Sequence, residues 1–103
     1  MEKFTIKSWA LDDRPREKLL AKGKSSLSDA ELIAILIGSG NREESAVGLA
    51  KRILQSVDGN LNTLSKLSVE KLMEFKGIGE AKAISIITAL EIGKRKQFEQ
   101  SLI

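Results

Sequence analysis

Apolar positions recur along the chain at helical spacing, and glycines or helix-capping serines separate the runs. Residues 1–12 (MEKFTIKSWALD) are the exception: they show no period. There Phe4, Ile6, Trp9 and Leu11 read as anchors of an arm lying over the domain, with one short extended stretch. Asp13 is placed to cap a helix over about 14–22, with Pro15 in its first turn, where the missing N–H costs nothing. Gly23 suits the left-handed position that ends it. Ser28-Asp29-Ala30-Glu31 then reads as a capping box, with Leu27 and Leu32 spaced as a hydrophobic staple. The helix it opens, about 29–37, is apolar almost all round (AELIAILI) and is predicted to be the buried centre. Gly38-Ser39-Gly40 ends it. Asn41 with Glu44 offers a further cap, predicting a helix over about 42–57 with the stripe Val47, Ala50, Ile53, Leu54 and Val57. Gly48 inside that helix costs roughly 1 kcal/mol against Ala and predicts a close helix crossing.

Asp58-Gly59-Asn60 reads as a turn and residues 62–67 as a short helix. Ser68 caps the next helix, about 69–75, with Leu72, Met73 and Phe75 apolar. Lys76-Gly77-Ile78-Gly79 breaks it. The last helix is predicted over about 80–97, burying Ala83, Ile86, Ile87 and Leu90, with Ile84 and Ile92 flanking. The closing residues FEQSLI carry neither stop nor cap. The pattern therefore predicts an all-α domain of five to six helices over 1–97, with an arm at 1–12 and the start of a linker at 98–103. Two stretches share one layout: a Ser-capped helix, a glycine turn and a long helix. Ser28 precedes Gly38 by ten residues and Ser68 precedes Gly77 by nine. This predicts tandem or pseudo-tandem helix–hairpin–helix units, the first more divergent.

Composition removes most chemistry. The 103 residues include no Cys and no His, which excludes disulfides, thiol nucleophiles, imidazole bases and the usual zinc sites. No apolar run approaches the roughly 18–20 residues of a membrane span, and the N-terminus lacks a signal-peptide core, so a cytoplasmic protein away from membranes is expected. Asp12-Asp13 and Glu43-Glu44 are adjacent pairs that diverge on a helix and make no acid–base couple. Ser28, close to lysines, is better used as a cap. The chain is read as a non-enzyme without catalytic residues, metal or cofactor.

The remaining chemistry is for anions. The net charge is +3: +3 over residues 1–27, −2 over 28–75 and +2 over 76–103. Leu72, Phe75, Gly77-Ile78-Gly79 and Ala83 match the helix–hairpin–helix pattern, in which an apolar residue sits between two glycines. Glycines let a phosphate approach the backbone, and a helix N-terminus offers unpaired N–H groups with a favourable dipole. Ile78 would pin the hairpin to the core, and Ala83 would let the helices cross closely. Lys82, one turn in, and Lys76 on the other flank would reach phosphate. The plain alternative is a tight structural turn. At the second candidate hairpin, Gly38, Ser39 and Gly40 with Arg42, that alternative leads, since a buried run precedes it and Glu43 and Glu44 follow. Lys94-Arg95-Lys96 read as a helix C-terminal cluster, and Arg14, Arg16 and Lys18 as a solvated face. Backbone amides and lysines read phosphate, not base edges. The pattern therefore predicts weak, sequence-independent DNA binding, with Kd on the order of 10⁻⁴–10⁻⁶ M at physiological salt.

In RPREKLL (residues 14–20), SLSDAELIAILIGSG (26–40) and FKGIGEAKA (75–83), the chain resembles the RadC family, also known as UPF0758. The similarity is to its N-terminal helix–hairpin–helix domain, related to RuvA domain 2-like folds, and it runs over about residues 6–95. The resemblance implies a bacterial protein associated with DNA repair. It also implies a following JAB/MPN metalloprotease-like domain, with zinc held by two His of an HxH motif and an Asp. None of those ligands can lie in a chain without His, so zinc is expected only in that absent domain. Gly77, Ile78, Gly79 and Lys82 carry over as the DNA-backbone hairpin. Two functions follow: a DNA-backbone-binding module, or an interaction domain that docks a partner or the absent JAB/MPN domain. Trp9 and Leu11 are candidate contacts for the second. The oligomeric state has no signature in the sequence.

Overall fold

A computed structural model describes residues 14–102, and the arm over 1–12 and the Asp13 cap lie outside the described residues. Six helices follow in order: α1 (Pro15–Lys22), α2 (Asp29–Ile37), α3 (Ala46–Gln55), α4 (Leu61–Ser65), α5 (Val69–Leu72) and α6 (Glu80–Ser101). A single 3-10 turn (Lys24–Ser26) joins α1 to α2, and no strand occurs among the described residues. The fold is all-α.

Local chemistry explains where these helices start. Arg14 takes the extended N-cap position of α1 and Gly23, at φ 90°, ends the helix. The capping box of α2 forms in full: the Ser28 hydroxyl accepts from Glu31 N–H at 3.1 Å, and the Glu31 carboxylate accepts from Ser28 N–H at 2.8 Å. Glu31 also receives the Lys18 ammonium at 3.2 Å, so Lys18 ties α1 to α2 and is no mere solvated charge. Leu27 is buried but Leu32 is exposed, which splits the expected staple. α3 starts later than the pattern predicts. The Asn41 side chain accepts from the N–H groups of Glu43 (2.8 Å) and Glu44 (2.9 Å), closing a turn, and Ser45 becomes the cap.

The core joins Ile33 and Ile37 of α2, Leu49 and Ile53 of α3, Leu64, Leu72, Ile78, and Ala83 and Ile86 of α6. Each such Leu or Ile contributes roughly 1.5–3 kcal/mol by burial. Leu49, outside the stripe read from the sequence, is fully buried, whereas Val47 and Leu54 are half-buried. Gly48 marks no helix crossing. A Cβ there would meet Glu44 and Ser45 of its own N-terminal turn. α5 ends at Leu72, short of the expected 75, so Met73 (exposed) and Phe75 (half-buried) lie in the turn that follows. Ile84, expected to flank the buried face of α6, is exposed.

α6 has 22 residues, about 33 Å at 1.5 Å per residue. It continues past Gln97 to Ser101, into the segment expected to begin a linker. Lys94-Arg95-Lys96 consequently lie inside the helix, not in its last turn. Leu90 is its last partly buried residue, and 91–102 are all exposed.

Candidate functional site

The two glycine turns lie side by side. Loop 38–45 joins α2 to α3, and residues 73–79 join α5 to α6. Each contains a glycine at positive φ, Gly38 at 86° and Gly77 at 99°, which L side chains rarely adopt. A Cβ on Gly77 would also lie 3.0 Å from the Asn41 side chain and 3.1 Å from Leu49. Gly77 is thus one point at which the second turn lies close to the first loop and to α3.

The second glycines differ. Gly40 has no room for a side chain, because a Cβ would overlap the Glu44 carbonyl. Loop 38–45 then runs on to Ser45, whose hydroxyl accepts from Gly48 N–H at 3.0 Å and caps α3. Gly79 has ordinary extended backbone (φ −91°), and a Cβ there would meet nothing within 4 Å. It is itself the N-cap of α6, with no capping side chain. The first main-chain bond of α6 runs from Ala83 N–H to Gly79 C=O at 3.0 Å. The amides of Glu80, Ala81 and Lys82 have no acceptor among the described residues, and they emerge directly beside the side-chain-free Gly79. Ile78 is buried, as its place between the glycines predicts, and its N–H donates to Phe75 C=O at 3.0 Å.

The cations are engaged across the two loops. The Lys82 ammonium donates to Ser39 C=O at 2.8 Å, and Lys76 pairs with Glu43 at 2.9 Å. Arg42 is exposed and makes no ion pair among the described residues. Arg52, which the sequence pattern did not single out, spans the gap. Its guanidinium donates to both oxygens of Glu44 (2.8 and 3.2 Å) and to Lys76 C=O at 3.3 Å, with Phe75 beneath it at 5.6 Å. The Arg52 hydrogen bonds hold the Glu44 carboxyl below its usual range, and Glu44 raises Arg52. The only sequence signal was an arginine on a half-apolar helix. Glu80 adds an acid at the N-terminus of α6, which suits the helix dipole and tempers the positive potential there.

The residues expected to act together are therefore together. Gly77, Ile78, Gly79, Lys76 and Lys82 form one hairpin, and Gly38, Ser39 and Gly40 abut it through Lys82. Among the described residues no group of acids could hold a metal ion, and no helix is long and apolar enough to cross a membrane.

A family model described as UPF0758 N-terminal matches residues 6–84. The chain belongs to the UPF0758 family. This is the family to which the RadC-like motifs pointed. Among UPF0758 relatives, a protein of Flavobacterium johnsoniae is 64% identical over 99 residues, covering 96% of this chain and 43% of its own length. Those of Coprothermobacter proteolyticus and Geobacillus thermodenitrificans are 50% and 52% identical, covering 90% and 89% of this chain and 39% and 40% of their own lengths. The chain thus spans about two fifths of the UPF0758 proteins it matches. No solved structure matches it.

Proposed function

We propose that this domain binds the DNA backbone without sequence preference, through the Gly77–Gly79 hairpin and the first turn of α6. The observation that carries this reading is Gly79. Neither its backbone angle nor its surroundings require glycine, yet it stands at a helix N-terminus whose amides lack acceptors. An absent side chain there leaves a phosphate room to reach those amides. Lys82 and Lys76 flank the opening. Each already has a partner, but an ammonium carries three donors and can take a phosphate oxygen in addition. Arg42, on the adjoining loop, supplies a further cation. The domain itself performs no reaction in this reading. In longer UPF0758 proteins it would bring a cytoplasmic, zinc-bearing JAB/MPN-like region to DNA, in keeping with a role in repair.

A second reading, an interaction domain for a partner or for that absent region, is favoured by α6. Its outer half leaves Ile92, Phe98 and Leu102 exposed with nothing packed on them among the described residues.

The two readings separate in one experiment. Binding of labelled duplex, single-stranded and branched DNA is measured by anisotropy for the wild type and for Gly79→Asp combined with Lys82→Glu. The DNA reading expects binding to all three forms and its loss in the double variant. Equal binding by the double variant sinks the assigned site.

A further inference from the structure

We infer that Glu43 is a built-in competitor of the nucleic-acid backbone, holding the Lys76 ammonium and thereby limiting affinity. The inference rests on the backbone-binding reading and concerns the regulation of that same site. Its basis is the position of the carboxylate. Glu43 and Lys76 are 33 residues apart in sequence, yet their charged atoms lie 2.9 Å apart. Two contacts bring this about. The Asn41 side chain accepts from Glu43 N–H at 2.8 Å and fixes the turn from which Glu43 projects. The same Asn41 side chain lies against Gly77, so the turn is registered on the hairpin itself. The Glu43 carboxylate is thus delivered to the flank at which a phosphate would meet Lys76.

The pair has no evident structural duty. Both side chains are largely exposed, 75% for Lys76 and 69% for Glu43, and the loops are already joined by Arg52 and Lys82. Exposed pairs of this kind contribute little to stability. Glu44 is different, since its two oxygens both hold Arg52. A phosphate approaching Lys76 must therefore displace Glu43 or share the ammonium with it, and each course weakens the new contact.

The test uses the full 103-residue chain, a short labelled DNA duplex and four variants: Glu43→Gln, Glu99→Gln, Lys76→Gln and Glu43→Gln with Lys76→Gln, the last compared with Lys76→Gln alone. Glu99 lies near the far end of α6 and controls for net charge alone. Thermal melting followed by circular dichroism confirms that each variant folds. Glu43→Gln is expected to bind about two- to fivefold more tightly at low salt, the range that exposed ion pairs span. The slope of log K against log salt should steepen by about 0.9, one additional phosphate neutralised. Glu99→Gln should change little, and the gain should vanish when Lys76 is also replaced. The inference is overturned if Glu43→Gln matches Glu99→Gln or if its gain survives without Lys76. Loss of binding in the Gly79 and Lys82 double variant would still uphold the backbone reading in that case. Absence of DNA binding in every variant, wild type included, overturns both.

Discussion

At the scale of single residues, Gly77 and Gly79 serve different needs although only Ile78 separates them. Gly77 sits at φ 99° and packs against Asn41 and Leu49, so the fold requires it. Gly79 is extended at a helix N-cap with open space around it, where serine is the better cap. Gly77→Ala should therefore cost about 1–3 kcal/mol of stability, the usual penalty for left-handed backbone without glycine. Gly79→Ser should leave stability within about 0.5 kcal/mol of wild type or raise it. It should nevertheless weaken DNA binding several-fold, because its side chain enters the space a phosphate needs. Urea denaturation and anisotropy titration of both variants check this. A destabilised Gly79→Ser variant, or one that binds DNA normally, contradicts the assignment. The sequence made both glycines visible as a pair but not their division of labour, since that depends on Asn41, 36 residues before Gly77. Lys82 is a similar case. Its motif position is readable locally, while its partner Ser39 is 43 residues away.

Among the elements, the clearest local signals became the best-formed features. Ser28 and Glu31 reproduce the capping box because both of its hydrogen bonds lie within one turn. The α3 start moved from 42 to 46 because Asn41 satisfied a turn of its own and left Ser45 to cap. α6 runs four residues beyond the predicted end at Gln97, because no residue there stops a helix. Capping also gives α2 a pH dependence. The Ser28 N–H, and with it the Lys18 ammonium, holds the Glu31 carboxyl below its usual range. A carboxyl with a lowered folded-state pKa adds stability that is complete above the unfolded value, about 4.3, and is lost as pH falls through the folded one. Glu44, lowered by Arg52, acts in the same direction. The melting temperature should hold from neutral pH to about 5 and then decline. Glu31→Gln keeps an acceptor for Ser28 but not the charge. Its melting temperature should be lower at neutral pH and fall less steeply in acid. An acid limb as steep as that of wild type would assign the dependence elsewhere.

For the molecule as a whole, the net charge of +3 is modest for a nucleic-acid binder, and the two joined loops bring Glu43, Glu44 and Glu80 among the cations. The charge totals of sequence segments cannot show this, because pairs such as Lys76 with Glu43 cross segment boundaries. The chain has neither His nor Cys and spans about two fifths of the length of its UPF0758 relatives. The proposed phosphate site on one hairpin would draw its binding energy from electrostatics. The decisive measurement is the binding constant for a DNA duplex as a function of salt. About three neutralised phosphates predict a straight plot of log K against log salt with a slope near −3. A flat plot, with binding indifferent to salt, would contradict a backbone-binding hairpin.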